Sequence, residues 1–245
     1  MHNAALRAVG LEGWRYQLLP VAPELFAPTV KALSGAGFRG ANVTIPHKQA
    51  ALALADETSE AARAIGAANT LVFEDGRTWA DNTDAPALLA ALPFPPSGRT
   101  ALVLGAGGSA RAAVWALLDS GAREVSVWNR TFERAVALCR ELGGTPVRDP
   151  VEADLLVNCT PAGMDGSQQG VKSLPLLVDE PTVFRCVVDF PYTRAETPLV
   201  AAARRAGLAV VDGLDLLVGQ GALSFQQFTG MAAPVDVMQL AARGR

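Results

Sequence analysis

The chain has 245 residues, enough for one large or two small domains, and half of it is hydrophobic with 18% charged, which excludes a disordered composition. Its 21 basic and 24 acidic residues give a formal charge of −3, so nothing draws it electrostatically to a phosphate backbone and nucleic acid is not an expected partner. No run reaches about 18 apolar residues and the start, Met1 to Arg7, lacks the charged-then-apolar secretory pattern, so a cytoplasmic protein with no membrane partner is expected.

Short apolar runs alternate with helical patterns, the signature of βαβ units around a parallel sheet, so the fold class read from the pattern is α/β. Strands are expected at Arg15 to Val21, Phe38 to Thr44, Asn69 to Phe73, Thr100 to Leu104, Glu124 to Trp128, Leu155 to Asn158, Val183 to Asp189 and Leu208 to Val211, with helices between them. Glu74-Asp75-Gly76 reads as a tight turn joining two antiparallel strands. Pro93, Pro95, Pro96, Ser97 and Gly98 form the one linker-like cluster, which marks an expected domain boundary. Two late helical patterns, Leu214 to Phe228 and Pro234 to Ala242, follow the second sheet and either cap it or return to the first domain. Cys139, Cys159 and Cys186 are odd in number and sit among apolar residues, which suits buried small hydrophobes better than disulfides. With His2 and His47 as the two histidines, no metal site is expected.

Leu102-Val103-Leu104 runs straight into Gly105-Ala106-Gly107-Gly108-Ser109-Ala110 and then a helical pattern from Arg111 to Leu118. In a strand-turn-helix of this kind the first glycine permits the turn and the second lets backbone approach a pyrophosphate. The small Ala110 lets helix and strand pack closely. Free N–H groups at the helix start would favour the anion, although an ordinary glycine turn gives the same string. After the next strand the sequence offers Asn129-Arg130-Thr131 and Arg134 where an acid would meet the ribose of NAD. Two guanidinium groups there favour NADP, through forked donors to a 2′-phosphate. The alternative is that Thr131 caps the helix Phe132 to Leu142 while both arginines are merely solvated.

Three polar groupings lie at strand ends of the first half: Asn42-Val43-Thr44-Ile45-Pro46-His47-Lys48, Gly66 to Thr70, and Asp81-Asn82-Thr83-Asp84. Pro46 suits a first helical turn. Asp84, two residues before Pro86, reads more readily as a helix N-cap than as a catalytic acid on spacing alone.

Taken jointly these strings resemble the shikimate dehydrogenase family, whose motifs are similar to Asn42 to Lys48, Gly66 to Thr70, Asp81 to Asp84, the Asn129-Arg130-Thr131 clamp and Asn158 to Met164. Asp189 to Tyr192 and the helix from Gln220 to Gly230 match further motifs of that family, in order along essentially the whole chain. The resemblance implies an N-terminal α/β substrate domain (residues 1–92 with 214–245) and a C-terminal Rossmann domain that binds NADP (98–213). The implied reaction is reversible NADPH-dependent reduction of 3-dehydroshikimate to shikimate, a small-molecule conversion by a monomer or homodimer. Lys48 and Asp84 would be catalytic. Asn42, Thr44, Asn69, Tyr192 and Gln220 would contact substrate, although Gln220 also reads as a boundary residue beside an apolar stripe. Gly105, Gly107, Gly108, Ser109, Ala110, Asn129, Arg130, Thr131, Arg134, Thr160 and Met164 would contact the cofactor.

The chain departs from the family pattern in three places. The Ser-x-Ser strand that precedes Met-His-Asn is not in the sequence, and the expectation that follows is an unpaired sheet edge with weak carboxylate recognition. Ala85-Pro86-Ala87 replaces a glycine-rich continuation, and Phe190-Pro191 is unusual before Tyr192. A quinate or other cyclic hydroxy-acid dehydrogenase, or a non-catalytic NADP-binding relative, are the alternatives.

Overall fold

The computed structural model describes residues 1–164, 174, 183–193 and 195–244. They divide into two compact units, Met1–Ala87 with Val218–Arg245, and Leu88–Leu217. The division falls inside two helices, α5 (Asp84–Ala91) and α9 (Gly213–Thr229), and the Pro93 to Gly98 cluster lies within the second unit.

The first unit opens with α1 (His2–Ala8), a 3-10 turn (Pro23–Leu25) and α2 (Phe26–Gly35). Next come β1 (Gly40–Asn42), α3 (Lys48–Leu54), β2 (Glu57–Thr58), α4 (Glu60–Ile65), β3 (Thr70–Glu74) and β4 (Arg77–Asp81). Its sheet has the order β1-β3-β4-β2, with β3 antiparallel to both neighbours and β2 parallel to β4. The β3–β4 connection is the two-residue turn read from Glu74-Asp75-Gly76: Asp75 and Gly76 have φ of 49° and 75°, the positive values that a hairpin matching strand twist requires. Phe26, Val30, Val43, Ala51, Leu71, Phe73 and Ala80 form one core. Ala5 and Leu6 of α1, Val218 and Phe225 of α9 and Met238 of the final helix, α10 (Val235–Ala242), form another.

Arg15 to Val21 is not a strand. The segment is extended, but among the described residues no ladder partner lies beside it. Side chains hold it instead: Asn3 bonds both backbone groups of Tyr16, the Tyr16 hydroxyl donates to Asn42 Oδ1, and His47 Nε2 lies 2.9 Å from Val21 O. Tyr16 and Val21 pack against the cores of the unit while Leu18 and Leu19 are exposed, so the apolar residues do not form one buried strand face. Pro46 lies in a turn ahead of α3 rather than in its first turn, joined to Ile45 by a cis peptide.

The second unit contains β5 (Thr100–Leu104), α6 (Gly108–Asp119), β6 (Glu124–Trp128), α7 (Phe132–Leu142), β7 (Thr145–Val147), β8 (Leu155–Asn158), β9 (Cys186–Asp189), α8 (Pro198–Arg205) and β10 (Ala209–Val211). Every strand pair in it is parallel and the order is β10-β9-β8-β5-β6-β7. Chain direction across the sheet reverses between β5 and β8, the point where open α/β sheets bind ligands at the strands' carboxyl ends. Both faces are covered. Val103, Val125, Leu155, Val157, Cys186 and Val188 point into one core, while Leu102, Leu104, Leu156 and Val187 point into the other. All three cysteines are free and buried, and burial pushes the Cys139 and Cys186 thiols up to about 11. Among the described residues no helix is long and apolar enough to cross a membrane.

The end of α9 seats against β1 through a glycine. A Cβ on Gly40 would stand 2.4 Å from the Phe228 ring and 2.5 Å from the Leu71 carbonyl oxygen. Gly40→Ala should therefore lower stability by about 1 to 3 kcal/mol, measured by urea titration, through overpacking against backbone that cannot retreat. An unchanged midpoint would show that α9 seats elsewhere.

Candidate active site

Sheet register explains why three separated motifs meet. Asn42 of β1 pairs with Thr70 of β3, which pairs with Asp81 of β4, so the three form a single row. Because β3 runs against its neighbours, the residues just beyond that row are Val43 onward, Asn69, and Asn82 to Asp84. All leave the sheet at one end. Backbone bonds tie them there: Val43 N–H donates to Asn69 O at 2.7 Å, Asn69 N–H to Asp81 O at 3.0 Å, and Ala68 N–H to Lys48 O at 2.8 Å.

At that end Lys48, the first residue of α3, and Asp84, the first of α5, form a buried ion pair, Nζ to Oδ2, at 2.6 Å. They are 8% and 7% exposed. The other carboxylate oxygen, Oδ1, accepts from Asn69 Nδ2 at 2.9 Å. Asn69 is fixed in turn, because its Oδ1 accepts from the Thr83 backbone N–H at 2.7 Å and from Thr70 Oγ1 at 3.1 Å. The helix-cap reading of Asp84 does not hold. Asn82 Oδ1 accepts from the backbone N–H groups of Asp84 and Ala85, at 3.1 and 3.2 Å, and so serves the helix start. Relieved of capping, the Asp84 carboxylate turns to Lys48. Asp81 holds the frame, accepting from Ser59 Oγ at 2.5 Å and Gln227 Nε2 at 2.6 Å.

Gln220, on α9, reaches the cluster through Asn69 Nδ2, which donates to its Oε1 at 3.4 Å. Asn42 stands one row back. Its Oδ1 is shared by His2 Nε2 at 3.2 Å and Tyr16 OH at 3.1 Å. Burial lowers His2 to about 4, which keeps that imidazole neutral. Thr44 is exposed beside the cluster, in the loop before α3. Tyr192 belongs to the second unit and is 47% exposed.

In the second unit the glycine turn joins β5 to α6. Gly105 has φ of 113°, and a Cβ on it would meet Cys159 backbone and Thr160 Cγ2 at 3.3 to 3.4 Å. Gly107 is the N-cap of α6, makes no side-chain cap, and has no atom within 4 Å of where a Cβ would be. Packing within the unit does not demand that glycine, whereas an anion resting against the helix start does. Gly108 and Ser109 form the first turn of α6, and Ala110 is fully buried in the same core as Val103.

At the carboxyl end of β6, Asn129 Nδ2 donates to Thr131 O at 2.8 Å, holding the loop into α7. Thr131 occupies the N-cap position, yet its side chain makes no cap bond. Arg130 and Arg134 are exposed and make no ion pair among the described residues. These groups could hold a 2′-phosphate: among the described residues both guanidinium groups are without an ion pair and the Thr131 hydroxyl makes no cap bond.

Across the switch point, Asn158 and Asp189 end β8 and β9, both fully buried. Asp189 Oδ1 accepts from Asn158 Nδ2 at 2.7 Å, and Oδ2 accepts from Thr197 Oγ1, the N-cap of α8. Asn158 Oδ1 then accepts from the Thr160 hydroxyl at 2.7 Å and its N–H at 3.1 Å. This chain orients the loop bearing Thr160 and Met164, the latter 48% exposed. Sequence reading quoted Asp189 as a motif letter without a role. Its position at the end of an apolar run, paired in register with Asn158, was the available signal.

A six-stranded parallel sheet with this glycine turn, joined to a mixed-sheet unit bearing a buried Lys–Asp pair, defines a two-unit α/β protein of the Rossmann class. Family models match three stretches: "Shikimate dehydrogenase substrate binding domain" over residues 1–71, "Shikimate / quinate 5-dehydrogenase" over 89–158, and "Shikimate 5'-dehydrogenase C-terminal domain" over 213–243. The shikimate dehydrogenase (NADP(+)) of Methylobacterium radiotolerans is 46% identical across 94% of this chain and 86% of its own. The Thermus thermophilus shikimate 5-dehydrogenase, solved in complex with NADP(H) and shikimate, superposes with a TM-score of 0.86 at 40% identity. That match covers 99% of this chain and 92% of that one. The 5-ketofructose reductase of Gluconobacter gives 0.83 at 28% identity, covering 99% and 91%. The chain belongs to the shikimate dehydrogenase family.

Burial raises Asp189 to about 6, opposed by the hydrogen bonds from Thr197 and Asn158 and reinforced by the charge of Asp212. The folded value exceeds the ordinary 3.8, so this group's contribution is favourable at low pH and is lost as pH rises through about 6. Asp189→Asn removes that titration. The stability gap between wild type and Asp189→Asn should therefore move in the variant's favour by about 2 to 3 kcal/mol between pH 4 and 7. Melting curves across that range check this, and a gap independent of pH contradicts it.

Proposed function

We propose that the chain catalyses the reversible NADPH-dependent reduction of 3-dehydroshikimate to shikimate, in the cytoplasm and as a monomer or homodimer. The observation that carries this reading is the buried Lys48–Asp84 pair, whose carboxylate is freed from capping and fixed by Asn69. NADPH supplies the hydride when bound. As the ketone oxygen gains negative charge, Lys48 Nζ stabilises it and gives it a proton. Asp84 keeps Nζ oriented through Oδ2 and accepts a hydroxyl of the substrate ring. Asn69, Thr44, Gln220 and Asn42 offer uncharged donors and acceptors to a polyhydroxylated acid.

Gly105, Gly107, Gly108, Ser109 and Ala110 would hold the pyrophosphate, and Asn129, Arg130, Thr131 and Arg134 the adenosine 2′-phosphate. Thr160 and Met164 would line the cofactor at the switch point. The cofactor fits because the space over Gly107 is open and Arg130, just after β6, and Arg134, in the first turn of α7, make no ion pair among the described residues.

A second reading is an enzyme of the same chemistry on quinate or another cyclic hydroxy acid, or on a polyhydroxylated ketone. It draws support from the family description naming quinate and from the likeness to a 5-ketofructose reductase. Comparing kcat/KM on shikimate, quinate and 5-ketofructose separates the two. A non-catalytic NADP-binding relative is the third reading, and cofactor binding without turnover of any of these substrates would support it.

If Lys48 is the proton donor, Lys48→Ala should lower kcat for shikimate oxidation by about 10² to 10⁴ while NADP affinity changes little. A variant with undiminished kcat would return Lys48 to a structural ion pair.

A further inference from the structure

Arg148 follows β7 and takes no part in the roles assigned above. Parallel register sets Val147 opposite Trp128, so Asn129 and Arg148 are the first residues beyond two neighbouring strands, at the same end of the sheet. The Trp128 indole N–H donates to the Arg148 carbonyl at 3.0 Å, fixing that backbone beside the end of β6. The guanidinium carbon then lies 3.9 Å from the centre of the Phe132 ring. Phe132 is the first residue of α7, immediately after Asn129-Arg130-Thr131. The guanidinium lies over that ring, and among the described residues Arg148 makes no ion pair. Glu133 and Asp149, the acids next to these residues in the chain, make no ion pair there either.

We infer that Arg148 is a third cationic contact for the adenosine 2′-phosphate, and so a determinant of NADP over NAD; the inference rests on the cofactor reading above. A planar, always charged guanidinium lying over an aromatic ring is restrained by it, and its fork of donors matches phosphate oxygens. A phosphate binding at Arg130 and Thr131 meets the first turn of α7, over which Arg148 is already stacked. NAD carries no anion at that position, so the contact discriminates between the two cofactors. A merely structural role, packing over Phe132, predicts instead a loss of stability with no cofactor preference.

Arg148→Met keeps an unbranched apolar stem over Phe132 and removes the charge, whereas Arg148→Lys keeps the charge and removes the fork. The full-length chain, with either change or with Arg130→Ala, is titrated calorimetrically with NADP, NAD and adenosine 2′,5′-bisphosphate. Arg148→Met should weaken NADP and the bisphosphate by about tenfold, leave NAD within about twofold and preserve the melting temperature; Arg148→Lys should fall between it and wild type. Equal weakening of NADP and NAD, or unchanged binding in Arg148→Met while Arg130→Ala separates the two cofactors, overturns the role of Arg148 and leaves the clamp standing. If neither Arg130→Ala nor Arg148→Met separates them, the 2′-phosphate reading and the inference fall together.

Discussion

Two opposite charges taken out of water together are the constraint around which the first unit is arranged. Burying an ion costs several kcal/mol, and mutual attraction offsets this only where every remaining lone pair and proton finds a partner. Lys48 and Asp84 meet that demand through neighbours that are themselves held. Asn69 takes the second carboxylate oxygen and Asn82 takes over the helix start. The row Asn42–Thr70–Asp81 brings all their loops to one end of the sheet. An ammonium so oriented is ready to meet a developing oxyanion without reorganising during the reaction, which is where such a site gains its rate.

In the proposed function the second unit holds the cofactor's phosphates with backbone N–H groups and exposed side chains. The candidate donors are backbone N–H groups at the start of α6, beside a glycine whose Cβ position is open, and Arg130 after β6 with Arg134 in α7, which make no ion pair among the described residues. Asp189, the buried acid among its described residues, serves geometry. It joins the end of β8, the Thr160 loop and the N-cap of α8 through two hydrogen bonds.

Much of this was legible from local signals that tertiary context does not override. The α7 boundaries, Phe132 to Leu142, follow from an amphipathic period closed by glycines, and the Asp75-Gly76 turn from residues that tolerate positive φ. The glycine turn of β5 and α6 was read from its spacing. What failed depended on partners distant in sequence. Arg15 to Val21 alternates like a strand but finds nothing to pair with, and β2 and β7 are too short to carry a pattern of their own. Asp84 looks like a cap until Asn82 is seen serving the helix start two residues earlier. Arg148 reaches the clamp only through the register of β6 and β7, and no string containing it announces that. Lys48 and Asp84 were identified through the family resemblance, since nothing in their separate surroundings pairs them.

The claim that Lys48 and Asp84 act as one unit is tested most directly by a double-mutant cycle on kcat/KM for shikimate, using Lys48→Met, Asp84→Asn and the double variant. Residues that work as a pair give strongly non-additive losses, so the double variant should be scarcely worse than the more damaged single one. Losses that multiply would show two independent groups and contradict the account.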